Sequence, residues 1–207
     1  MTTHLLSRRS APARPELQLH SGLTLALARV HEACGAARRS FALWLASRTQ
    51  GPVLWIAPAW QADMLNPDGV FAFIDPARLL FVSPTRAEDL LWAAEESLRA
   101  GAVALVVADL PGAPGLTAVR RMHLAAETGA AEGARTPLGL LLTPGDGGAQ
   151  GIETRWHMAP AHTGSVPRWR LARRRARSQP PQDWIVTRPC ATDADDHPGW
   201  SVTPTTD

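Results

Sequence analysis

Every one of the 21 basic residues is an arginine, and the sequence holds neither lysine nor tyrosine. A lysine that neutralises a bound phosphate, forms a Schiff base or acts as a general base is therefore excluded. Other patterns that carry chemistry are missing as well. There is no GxSxG elbow, no HExxH pair and no cysteine–histidine grouping at ligand spacing. Cys34 and Cys190 stand far apart and read as free thiols of a reducing compartment. His31 and His157 fall within strand-like stretches and read as structural, and Glu95-Glu96 reads as the solvated face of a helix. No catalytic residue, metal or cofactor is expected.

Two constellations remain. In the first, Gly35 follows an apolar strand, and Arg39 and Ser40 open the next helix. A strand, a glycine turn and a helix N-terminus together can present backbone amides to an anion. Asp109 ends the apolar run AVALVVAD and reads either as a metal-supporting acid or as a strand-end acid capping the next loop. Ser40 reads as an ordinary first-turn residue. The second constellation is PRWRLARRRAR, with Arg168, Arg170, Arg173, Arg174, Arg175 and Arg177. As a strand it would turn Arg168 and Arg170 outward, with Arg173, Arg175 and Arg177 candidates to follow, while Trp169 and Leu171 face inward. Such a stripe suits an acidic partner protein, the phosphates of single-stranded DNA, or the protection of an edge strand. Trp60, in the loop APAWQADMLNPDG, and Trp200 are candidate interface anchors, or else partly buried loop residues.

The elements that must position these residues follow from apolar spacing. LARVHEAC (27–34) reads as a strand, and Phe41, Trp44, Leu45 and Arg48 recur at helical spacing over 37–48. VLWIA (53–57), LLFVS (79–83), AVALVVAD (102–109) and PLGLLLT (137–143) read as buried strands of a parallel sheet. Between them, Thr85 with Glu88 predicts a capping box for a helix that places Leu91, Ala94 and Leu98 inward and ends at Gly101. A second helix over 117–128 places Val119, Met122 and Ala126 inward. After the glycine-rich loop PGDGGAQG, the pieces TRWHMAP, PRWRLARRR and DWIVTRP read as antiparallel strands that complete the sheet. The fold class expected is α/β, with a central mostly parallel sheet, helices on both faces and antiparallel strands in the C-terminal part.

Hydrophobic residues make up 45% of the chain, enough for a core, and no apolar run is long enough to span a membrane. The N-terminus lacks the apolar stretch of a secretory signal, so a soluble, cytoplasmic protein without membrane partners is expected. The domain reading is a flexible arm over 1–16, one domain over 17–188 and an acidic disordered tail over 189–207. Setting aside the tail acids Asp193, Asp195, Asp196 and Asp207 leaves 15 acids against 21 arginines.

The order and spacing of RVHEACG, GPVLWIAP, DPARLLFVSPTRAEDLLWAAEESLRAGAVALVVADLPG, LTAVRRMHLAAETG, TPLGLLLT, TRWHMAPA and PRWRL carry a family resemblance over roughly 22–187. They resemble RecA, and more closely the ImuA family, which is related to RecA and often has a decayed phosphate loop. The resemblance implies a RecA-like P-loop-type core. A working loop reads GxxxxGK[ST]. Here the stretch is VHEACGAARRSFALWLA: Gly35 remains, the second glycine is missing, and Arg39-Ser40 stands where GK[ST] would be. By the resemblance Asp109 lies where a Walker-B acid would lie, and no acid follows IAPAWQ before Asp63. The implied role is an adaptor or regulator in SOS-induced translesion synthesis. The implied partners are an ImuB-like relative of Y-family polymerases, RecA and an error-prone polymerase, with single-stranded DNA a further candidate. The alternatives are an ATP-binding or weak ATPase enzyme using Ser40 and Asp109, a SulA-like cell-division inhibitor, and a plain single-strand DNA-binding module.

Overall fold

A computed structural model describes residues 15–61, 63–177, 179–188 and 199–205. The chain opens with a hairpin of β1 (Glu16–His20) and β2 (Leu23–Ala26), turning at Gly22. The flexible arm expected over 1–16 therefore gives way to strand at Glu16, and LQLHSGLTLA folds as this hairpin. The main sheet then alternates with helices: β3 (Val30–Cys34), α1 (Arg38–Ser47), β4 (Val53–Ile56), the short α2 (Pro67–Phe71), β5 (Leu79–Val82), α3 (Ala87–Ala100), β6 (Leu105–Asp109), α4 (Leu116–Glu132) and β7 (Leu138–Leu142). Four further strands follow: β8 (Thr154–Pro160), β9 (Arg168–Ala176), β10 (Gln182–Thr187) and β11 (Ser201–Pro204). The nine-stranded sheet has the order β11-β10-β9-β8-β3-β7-β6-β4-β5. It is parallel from β8 through β5 and antiparallel from β8 to β11.

The α/β class and the helices on both faces agree with the expectation. The direction of β8 does not. TRWHMAP lies parallel to β3, so residues 143–153 must cross the sheet and let the chain re-enter at its starting edge. Glycine-rich composition announces a loop but not its span. The C-terminal boundary also moves. Trp200 and β11 lie in the stretch read as a disordered tail, yet β11 pairs with β10, and the Trp200 ring stacks on Trp44 at 4.6 Å. Burying an indole against an aromatic cluster outweighs the polar composition around it. Cys190, Asp193, Asp195, Asp196 and Asp207 lie outside the described residues.

One face of the sheet is apolar from β4 to β10, the other over β3, β7, β6 and β4. On one, Phe41, Trp44 and Leu45 of α1 and Leu19, Leu23 and Leu25 of the hairpin pack on Trp156, Trp169 and Trp184. On the other, Leu90, Ala94 and Leu98 of α3 and Val119, Met122 and Ala126 of α4 cover Val30, Ile56, Val106 and Leu141. Leu90 thus replaces Leu91 as the inward residue of the first turn. α3 and α4 approach so closely that a Cβ on Gly129 would meet the Leu98 carbonyl oxygen at 2.0 Å. Gly101 ends α3 in the left-handed conformation, at φ 54°. The expected capping box is absent: Arg86 is the N-cap, without a side-chain cap, and instead pairs with Glu88. Glu95 is buried rather than solvated, because Arg99 and Arg121 converge on its carboxylate.

Among the described residues no helix is long and apolar enough to cross a membrane. Nor is any group of three His, Cys, Asp or Glu placed to hold a metal ion.

Candidate functional site

The first constellation gathers where the strands β3 and β6 end. Ligands of open α/β sheets commonly bind at that edge. The turn from β3 to α1 is only three residues long, Gly35 to Ala37. Two of its amides are already used: Gly35 N–H donates to Gly145 O at 2.9 Å and Ala37 N–H to Met158 O at 2.9 Å, while at the helix start Arg38 N–H donates to Gly35 O at 3.2 Å. Gly35 adopts φ 87°, and a Cβ there would meet Met158 O at 2.5 Å. The turn is pressed onto β8 and wraps nothing.

Asp109 is buried at the end of β6, and the first turn of α1 supplies its partners. Arg39 Nε donates to one carboxylate oxygen at 2.7 Å, and Arg38 Nε lies 3.6 Å from the other. Gln61 Nε2 adds a donor at 3.4 Å. Gly35, Arg39 and Asp109 are thus brought to one edge as expected. Arg38 and Gln61 were not singled out in the sequence, since an arginine's neighbour and a loop glutamine carry no signal without the fold. Ser40 is partly exposed in the same turn and is not among Asp109's partners. Asp109 neither caps its own loop nor stands open to an ion; it holds two guanidiniums. Beside it lies a cavity of about 150 Å³, lined by Arg39, Trp55, Gln61, Met64, Leu65 and Phe81. Trp60 is 53% exposed nearby in sequence, with Met64 and Phe81 also exposed.

A second buried acid, unnoticed in the sequence, stabilises this edge. Glu32 is fully buried in β3. Its carboxylate accepts from Thr143 Oγ1 at 2.6 Å, Gly148 N–H at 2.8 Å and Ala149 N–H at 3.0 Å, and pairs with Arg155. A buried charge needs this many partners. The effect is to pin the glycine-rich loop across the sheet. Around it the titratable groups are quiet. Burial, then the Glu32 charge, pushes the Cys34 thiol up to about 11, which leaves it protonated and unreactive. Burial lowers His31 to about 4, and its ring nitrogens lie 2.7 Å from Thr154 Oγ1 and 2.9 Å from Ala26 O. Burial also lowers His123, whose Nδ1 accepts from Val30 N–H.

The arginine cluster divides between the faces of β9. Trp169 and Leu171 point into the core, as expected. Arg173 follows them inward, against the expectation that it turns out. It is 4% exposed, and its guanidinium lies over Trp156 at 5.7 Å and Trp184 at 5.2 Å while donating to Pro180 O. The reason is register. The bulge comes after Arg173, between the Arg155 and Trp156 pairings, so only Arg175 changes side. Arg168 is partly exposed, and Arg170, Arg174, Arg175 and Arg177 are exposed. Arg174 pairs with Asp146 at 2.7 Å and Arg177 with Glu153 at 3.5 Å. No protein-family model and no curated protein sequence matches this chain.

Proposed function

We propose that this protein is a non-catalytic, RecA-like adaptor or regulator in SOS-induced error-prone translesion synthesis. It works through protein partners: an ImuB-like polymerase relative, RecA and an error-prone polymerase. One observation carries the reading. Where a nucleotide's phosphates would be gripped, the Gly35 and Ala37 amides are spent internally and Asp109 is held by Arg38 and Arg39. An acid held this way is withdrawn from a metal ion, and a three-residue turn with two amides spent gives little to a triphosphate. The core is then a scaffold, and its exposed surfaces do the work. The exposed Met64 and Phe81, which line the cavity next to Arg39, and the exposed Trp60, beside its lining residues Ala59 and Gln61 in sequence, have the aromatic and apolar character of an interface centre.

Calorimetric titration with Mg-ATP is the direct test, and no binding is the expected result. Micromolar affinity would replace this reading with an ATP-binding enzyme. Affinity capture is expected to recover the ImuB-like protein or RecA, and Trp60→Ala to weaken that capture about tenfold or more. Recovery of FtsZ instead would favour a SulA-like division inhibitor.

A further inference from the structure

We infer that the uncovered face of β8, β9 and β10 is a binding surface for the backbone of single-stranded nucleic acid. This deepens the adaptor reading and rests on it for its biological place, though not for the binding itself. Helices α3 and α4 cover β3, β4, β6 and β7, and α1 with the hairpin covers the opposite face. Among the described residues, the second face of β8–β10 is therefore left uncovered. Register shows what it carries. Arg170 sits between Ala159 and Ile185, Arg168 opposite Thr187, and Arg175 opposite Arg155.

Among the described residues, Arg168, Arg170 and Arg175 have no ion-pair partner, and Arg168 Nε is buried without a hydrogen bond. The other arginines of this region are already matched: Arg155 to Glu32, Arg174 to Asp146, Arg177 to Glu153. Asp183 is the one exposed acid that β10 adds to the face. Around these guanidiniums the face carries Ala159, Ala172, Thr187, Ile185 and the His157 ring, mostly short side chains on a β-sheet surface.

Charge and shape choose the occupant. Arg168 and Arg170 are two residues apart, about 6.8 Å at the usual strand rise, which matches the step between phosphates of an extended strand. A sheet surface of mostly short side chains admits a single strand lying across it, and planar guanidiniums can both pair with phosphate and stack on bases. No indole or phenyl ring of β8, β9 or β10 points to this face, since Trp156, Trp169 and Trp184 all point into the core, and His157 is its one imidazole. Affinity should therefore rest on phosphate contacts, with little sequence preference and strong dependence on salt.

The test is fluorescence anisotropy of the full chain with a labelled oligothymidylate of about 16 nucleotides, from about 50 to about 200 mM salt. The comparison is between wild type, the triple variant Arg168→Gln/Arg170→Gln/Arg175→Gln, and a control, Arg86→Gln/Arg120→Gln, whose arginines lie outside the face. The triple variant is expected to lose at least about tenfold in affinity, and its salt slope to fall by about 2, at roughly 0.7 per phosphate contact. The control should bind as wild type. The inference is overturned by failure of wild type to bind at the lowest salt, by equal loss in the control, or by tighter binding of a duplex of the same length. Retained capture of the ImuB-like protein or RecA by the triple variant would leave the adaptor reading intact whichever way the DNA result falls.

Discussion

Arginines play opposite parts in the two halves of the sheet. From β3 to β7 both faces are covered, and the arginines at the rim are matched to acids: Arg38 and Arg39 to Asp109, Arg29 to Glu127 and Glu153. From β8 to β11 one face is uncovered among the described residues, and there Arg168, Arg170 and Arg175 stand without such partners. The contrast teaches where to look for function. A charge that is withdrawn from water must find its partners within the fold, whether an acid or ring faces and oxygen acceptors, and what it holds is structure. A charge left in water on a rigid face stays available to something else. Arg173 makes the point inside one strand, since it is buried between two indoles while Arg170, three residues earlier, faces solvent.

The comparison breaks most readily at Glu32. Glu32→Ala leaves Arg155, Thr143 and two loop amides without their common acceptor, and should cost about 3–5 kcal/mol in urea unfolding followed by circular dichroism. A loss below about 1 kcal/mol, the scale of a surface substitution, would mean the glycine-rich loop is held by something else. Next in size is the effect of pH. Burial holds His31 neutral in the fold down to about 4, against an ordinary value of 6.5. The unfolded chain takes up its proton first, so stability is full at neutral pH and falls as pH drops from about 6.5 to about 4. The loss is on the order of 3 kcal/mol, with His123 acting in the same direction. His31→Asn should flatten that slope; an unchanged slope would assign it to other groups.

Asp109→Ala sharpens the contrast, because it should convert a matched site into an unmatched one. Arg38 and Arg39 are about a quarter exposed, which limits the cost to about 1–3 kcal/mol. The variant's melting temperature should then rise with added sulfate by more than that of wild type, which gains only the general kosmotropic effect. Equal responses of the two proteins would mean the guanidiniums are not released. The smallest expected effect comes from the pair in β9. Arg173→Ala should cost about 1–2 kcal/mol through its lost ring contacts and hydrogen bonds, and Arg170→Ala less than about 0.5 kcal/mol. Equal costs in denaturant melts would contradict the division of the strand into two faces.

Several features were legible from residue order because they depend on local periodicity. The parallel strands, α1, α3 and α4, the Gly101 stop and the inward Trp169 and Leu171 all follow from apolar spacing and glycine chemistry. What escaped depends on contacts between residues far apart in the chain. Glu32 looks like an intrusion in an apolar strand until the loop at 143–149 and Arg155 fold over it. Arg38 has no signal of its own beside Arg39. The direction of β8, the strand at Ser201–Pro204 and the side taken by Arg173 are each set by pairing register, which composition does not encode.

By itself the sequence determined the α/β class and removed lysine-based phosphate chemistry, since both rest on residue type and short-range spacing. Only the tertiary structure decided which charges are bound internally and which remain open. Whether an arginine is matched depends on an acid that may lie 70 positions away, as Asp109 does from Arg39, and on whether a helix happens to cover that part of the sheet.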